Sequence, residues 1–109
     1  MNLNELRDEA LRIAREHGFK EATVLEDIVL MHSELSESVE AYREGKKPDE
    51  VWLHCSGFAP KPCGIPSEMA DVIIRVLHFC GKHQIDIEKA VTEKMKYNDS
   101  RPYKHGKII

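Results

Sequence analysis

No apolar run in this chain is long enough to cross a bilayer, because charge interrupts each one within a few residues. The opening stretch "MNLNELRDEALRIAREHG" lacks the apolar segment of a secretory signal. Cysteine is scarce and unpatterned: Cys55, Cys63 and Cys80 are odd in number and have no disulfide-framework spacing. Together these absences predict a cytoplasmic protein with reduced thiols and no membrane partner. No excess of positive charge is present either. Sixteen basic residues against 19 acidic ones give a formal charge of −3, which argues against nucleic acid as a partner. There are no repeats and no low-complexity segment, and no credible strand beyond a possible short one in the tail.

Helical periodicity is what the chain does have. At 109 residues it makes one domain, residues 1–109, small enough to gain from association. Leu3, Leu6, Ala10, Ile13 and Ala14 recur at helical spacing, and Gly18 is a suitable stop. Thr23 and Glu26 form a capping-box pattern for a second helix, which Gly45 can end. Pro66 suits the first turn of a third helix, and Asp86 can cap a fourth. The predicted helices cover approximately 3–17, 23–44, 66–83 and 86–98, with a basic tail at 99–109 that Pro102 and Gly106 keep from being helical. Residues 46–64, with three prolines and two glycines, read as one long irregular connection. The fold class is therefore all-α, a four-helix, bundle-like arrangement. On the third helix Glu68, Asp71, Arg75, His78 and Lys82 form one polar stripe, and the rest of its girth is apolar. That is more apolar surface than three short neighbours readily cover, so a dimer or higher assembly is expected.

Glu34 and Glu37, and again Glu68 and Asp71, lie three residues apart and so on neighbouring positions of one helix face. Both pairs sit in apolar helices. Such acids can be solvated surface. If the two helices pack antiparallel, the same four carboxylates can instead line one pocket, where ionised groups need a cation to offset their cost. All-oxygen ligands suit Mg²⁺ or Mn²⁺. A ferritin-like di-iron site would need Glu-x-x-His, which neither pair supplies.

The order "SELSE", "SEMAD", "EKMKYNDSRPYKHG" resembles the MazG-like nucleoside triphosphate pyrophosphohydrolases over about residues 25–106. The resemblance implies a MazG-type helical fold completed by oligomerisation as a dimer or tetramer. It also implies Mg²⁺-dependent hydrolysis of a (d)NTP to the monophosphate and pyrophosphate, in a housecleaning role. By that resemblance Glu34, Glu37, Glu68 and Asp71 are metal ligands, and Lys94 and Asn98 contact phosphate, with Arg101 and Lys104 as additions. Ser33 stands where many members carry a further acid, and the segment between the motifs is long.

A carboxylate not fully engaged by metal can take the proton of attacking water, and Glu37 is the first choice, followed by Glu34. Lys94 and Asn98, about one turn apart, can stabilise developing phosphate charge, although Lys94 also reads as an ordinary solvated lysine. Trp52 and His54, in the long connection, can contact a base or simply pin the loop, and Phe58 leans toward packing. His54, Cys55, Cys63, His78, Cys80 and His83 lack the spacing of a structural zinc site. Tyr97 and Tyr103 interleave with basic residues, but one short segment on an acidic body is a poor nucleic-acid footprint. The competing readings are a pyrophosphohydrolase of another nucleotide, such as phosphoribosyl-ATP, and a non-catalytic helical oligomer that binds nucleotide or metal.

Overall fold

The computed structural model describes residues 1–19, 21–55, 57 and 59–106. Four helices carry the chain: α1 (Leu3–Glu16), α2 (Val24–Arg43), α3 (Ile65–Lys82) and α4 (Ile87–Ser100). Local chemistry sets their starts. The Asn2 side chain accepts a hydrogen bond from the Glu5 amide and the Glu5 carboxylate accepts one from the Asn2 amide, which caps α1 at both orphan donors. Thr23 and Glu26 do the same for α2. Asp86 accepts from the Lys89 amide at the start of α4, while Pro66 occupies the first turn of α3, where no amide donor is needed.

Three helices end alike. At α1 the Gly18 amide donates to the Arg15 carbonyl and the Phe19 amide to the Ala14 carbonyl, with Gly18 at φ +71°. The pattern recurs at Gly45 and Lys46 after α2, and at Gln84 and Ile85 after α3. These paired bonds satisfy the last carbonyls of each helix by placing one residue in the left-handed region. Gln84, at φ 54°, does this without the freedom of glycine.

The connection between α2 and α3 is not wholly irregular, contrary to the sequence reading. β1 (Trp52–His54) and β2 (Lys61–Cys63) pair antiparallel, with Trp52 opposite Cys63 and His54 opposite Lys61. Three-residue strands are too short for an alternating pattern to register. Pro62 is tolerated because a two-stranded ribbon has only edge strands. Gly64 then turns the chain into α3 at φ +113°, and a Cβ there would stand 2.3 Å from the Glu50 carbonyl oxygen. Only glycine fits that approach. After Pro102 the tail makes one 3₁₀ turn, Tyr103–Gly106, in place of the non-helical course expected. Phe58 and the last three residues of the predicted tail lie outside the described residues.

α3 is the central element, packed against both α1 and α2, while α4 lies along α1. Gly81 lets α1 and α3 close: a Cβ there would be 3.0 Å from the Leu11 Cβ. The Leu3 amide donates to Glu88 at 3.0 Å and the Asn4 amide nitrogen to Asp86 at 2.9 Å, tying α4 to the start of α1.

The buried apolar residues are few: Ala10, Ala14, Leu77 and Cys80. Meanwhile Leu25, Ile28, Val29, Leu35 and Val39 of α2 are exposed, as are Met69, Ile73 and Ile74 of α3. The accessible surface is 8665 Å², whereas a compact monomer of this mass exposes roughly 6,200 Å². The radius of gyration, 16.6 Å, likewise exceeds the roughly 13 Å of a compact domain this long. No helix among the described residues is long and apolar enough to cross a membrane.

Candidate metal centre and adjoining cavity

The α2–α3 seam is a ladder of charged residues. The polar stripe of α3 turns into this seam, which leaves Ile73 more than half exposed while the Lys82 side chain is only 6 % exposed. Lys82 Nζ donates to Asp27 Oδ2 at 2.7 Å and to the Ala22 carbonyl at 3.0 Å. Glu21 stands 3.6 Å away. The hydrogen bond to Asp27 raises the Lys82 pKa above the usual lysine value despite burial. This end of the seam is electrically closed.

Towards the start of α3 the seam carries acid on both sides. One carboxylate oxygen from each of Glu34, Glu37 and Glu68 lies within 4.8 Å of the others. Helical spacing brings Glu34 and Glu37 to the same face of α2, and the turn at Gly64 delivers Glu68 in the first turn of α3. Burial, then the adjacent Glu37 carboxyl, then the charges of Asp71 and Glu34 push the Glu68 carboxyl up to about 7. Its buried Oε2 has no hydrogen-bond partner among the described residues. Asp71, exposed and outside the group of three, has its carboxyl raised by partial burial and then by Glu34 and Glu37.

Two cations border this cluster. Arg75 Nε donates to Glu34 Oε1 at 2.8 Å. Lys61, on β2, is close enough to lower the Asp71 carboxyl, as Arg75 does. The sequence reading placed Arg75 on the polar stripe but gave it no role, and it missed Lys61. The stripe at i, i+4 from Asp71 was the available signal for Arg75. Lys61 stands four residues before α3 begins, so its place in the sequence was the available signal.

Beside the cluster is a cavity of about 410 Å³ between α1, α2 and α3. Its wall is mostly aliphatic, from Ala10, Ala14, Leu30 and Ile74, and Glu34, Asp71, Arg75 and His78 supply polar atoms. Burial lowers the His78 pKa, with Lys82 adding to the effect, so its imidazole is neutral near pH 7.

The other residues expected at the site lie on α4, on the segment after it and on β1. Lys94 and Asn98 are on α4, whose packing is against α1, and Lys94 Nζ sits 5.2 Å from the centre of the Tyr97 ring. Arg101 also lies over Tyr97, at 5.6 Å, and Lys104 is 5.8 Å from Tyr103. Among the described residues no ion pair or hydrogen bond joins Lys94, Asn98 or Lys104 to the four carboxylates. Trp52 lies under Lys46 Nζ, 4.8 Å away, and against the Gly64 turn, so it holds the hairpin to the start of α3. His54 is exposed on β1. Neither lines the cavity.

No family model matches the chain, and neither a curated protein nor a solved structure matches it.

Proposed function

We propose that this chain is a metal-dependent nucleoside triphosphate pyrophosphohydrolase of MazG-like type, acting in the cytoplasm on nucleotides rather than on nucleic acid. The observation that carries the reading is the convergence of Glu34, Glu37 and Glu68, with a buried Glu68 oxygen that has no hydrogen-bond partner among the described residues. An all-oxygen donor set with one orphaned, strained carboxyl fits a hard divalent cation such as Mg²⁺, with Mn²⁺ as a substitute. Glu34, Glu37 and Glu68 would hold it, and Asp71 stands ready to complete the set. Bound there, the ion supplies charge neutralisation for the phosphates and a lowered pKa for coordinated water.

The chain's own residues divide the remaining work. Arg75 orients Glu34 through the 2.8 Å hydrogen bond. Glu37 is exposed and has no cationic partner among the described residues, which leaves it the freer carboxylate to accept a proton from attacking water. Lys61, at the head of α3, adds positive charge where the triphosphate would enter. Lys94, Asn98, Arg101 and Lys104 keep their phosphate-binding assignment as part of the same proposal.

Self-association as a dimer or tetramer belongs to the proposal. Its support is the excess of about 2,500 Å² of exposed surface over a compact monomer, and the apolar residues of α2 and α3 within it. That excess is about three times the roughly 800 Å² each partner buries in a standard interface, and it is of the order that permanent homo-oligomers bury.

The test is pyrophosphate release from a panel of canonical and modified (d)NTPs with Mg²⁺, with Mn²⁺ and with EDTA. Metal-dependent release with monophosphate as co-product is the expected result. Tight metal and nucleotide binding without any release would establish the non-catalytic reading instead. Light scattering at micromolar concentration should give a mass of at least two chains, and a monomer would defeat the association.

A further inference from the structure

We infer that the cavity between α1, α2 and α3 receives the heterocyclic base of the nucleotide, and that Arg75 and His78 select bases with a carbonyl oxygen at the pyrimidine 4-position or purine 6-position. The inference rests on the nucleotide reading above and adds a substrate preference to it.

Position comes first. Glu34 and Asp71 belong both to the acidic cluster and to the cavity wall. A molecule whose phosphates are held at the carboxylates therefore has its other end at the cavity mouth. The volume, about 410 Å³, is ample for a base with its sugar. α1 lines it with Ile13 and with two small residues, Ala10 and Ala14, both themselves buried. An aliphatic wall of that kind favours a flat, weakly hydrated body over a second charged group.

Phe19 supplies a stacking face. It follows Gly18, and the bond from its amide to the Ala14 carbonyl fixes it at the cavity wall, yet its ring is 69 % exposed. An aromatic ring held in water beside an apolar cavity is suited to stack on a base.

The polar groups then set the preference. The Arg75 guanidinium uses Nε on Glu34, and its terminal N–H groups have no hydrogen-bond partner among the described residues. His78 has none either, and as a neutral imidazole it offers one donor and one acceptor. Asp27, also on the wall, already accepts from Lys82. With Glu34 and Asp71 assigned to the cation in the reading above, the wall atoms left for a base are mostly donors, so the matching ligand edge is rich in acceptors. A carbonyl-bearing base such as uracil, thymine, guanine or hypoxanthine meets this. An amino group at the same place would set donor against donor and leave unpaired the groups that the bound base covers, the kind of mismatch that discriminates between bases. Trp52 and His54, the base contacts suggested by the sequence, lie outside this wall.

Calorimetric titration of the full chain in Mg²⁺ tests the assignment. The ligands are the α,β-methylene triphosphates of uridine, guanosine, cytidine and adenosine, with inorganic tripolyphosphate as the base-free control. Uridine and guanosine analogues should bind at least tenfold more tightly than the cytidine and adenosine analogues and than tripolyphosphate. Ala14→Leu, which adds bulk to the cavity, should bring every nucleotide to the level of tripolyphosphate. Arg75→Lys keeps a positive charge beside Glu34 but loses the fork, and it should remove the preference for carbonyl bases, as should His78→Ala in part. Nucleotides binding no better than tripolyphosphate to the wild type would overturn the inference. So would a base preference that survives both Ala14→Leu and Arg75→Lys. Pyrophosphate release from the hydrolysable nucleotides separates the two claims: a base preference in binding without release sinks the catalytic reading alone, and release without base preference sinks the pocket alone.

Discussion

The two ends of the α2–α3 seam carry charge into the same kind of partly buried environment and resolve it in opposite ways. At one end Lys82 is surrounded by Asp27, Glu21 and the Ala22 carbonyl, and every close charge has a partner. At the other end Glu34, Glu37, Glu68 and Asp71 face one another with Arg75 and Lys61 at the border, and a Glu68 oxygen has no donor among the described residues. The first arrangement fixes the helices. The second leaves like charges facing one another, and it is where we propose that a cation binds. Compensation, rather than the number of charges, separates the two ends.

The largest effect expected from breaking this contrast is on turnover. Glu37→Ala should lower pyrophosphate release by about 10²–10⁴-fold while the far-ultraviolet circular dichroism stays that of the wild type. Activity within tenfold of wild type would take Glu37 out of the site.

At the closed end the loss falls on stability instead. Lys82→Ala removes the cation and strands Asp27, which should cost about 3–5 kcal/mol in denaturant unfolding. Metal affinity in the protein that remains folded should stay unchanged. A loss below about 1 kcal/mol would show that water, rather than Lys82, compensates Asp27.

The pH response sharpens the comparison further. Glu68 titrates at about 7 in the folded chain against an ordinary 4.5, so between those values the folded state holds a proton that the unfolded state has lost. Stability in EDTA should therefore fall as pH rises from about 4.5 to 7 and level off above it. Glu37, Glu34 and Asp71 oppose ionisation from both helices, and Arg75 and Lys61 only partly relieve it. Mg²⁺ should remove the decline, and Glu68→Gln should flatten it without metal. Thermal melts across that range measure it, and a curve that rises with pH in EDTA would contradict the strained carboxyl.

The smallest effect concerns Ser38, the one buried residue of α2, whose Oγ has no partner among the described residues. Replacing it with alanine removes an unsatisfied group without opening a cavity. Ser38→Ala should leave stability unchanged or raise it by up to about 1 kcal/mol in chemical denaturation. A clear loss would mean that the hydroxyl has a partner in the assembled protein.

Much of this molecule was legible in its sequence. Thr23 with Glu26, Asp86, Pro66, Gly18 and Gly45 mark helix limits because caps act over three or four residues, and the structure places helices within about two residues of those signals. The four carboxylates were legible as pairs for the same reason, since i, i+3 spacing is a property of one helix. Gln84 escaped because its left-handed turn follows no glycine signal, and the hairpin escaped because its strands are too short to show a period.

What the sequence determined by itself was the set of helices, their ends and the acids each presents, all of which local hydrogen bonding and side-chain spacing dictate. The tertiary structure decided which charges meet. It turned the polar stripe of α3 inward against α2 and left Ile73 outside. It also gave Lys82 a partner while leaving Glu68 Oε2 with none, and set Arg75 and His78 into the wall of a cavity. Those outcomes depend on where separate helices cross, and burial makes each match or mismatch of charge felt across that gap.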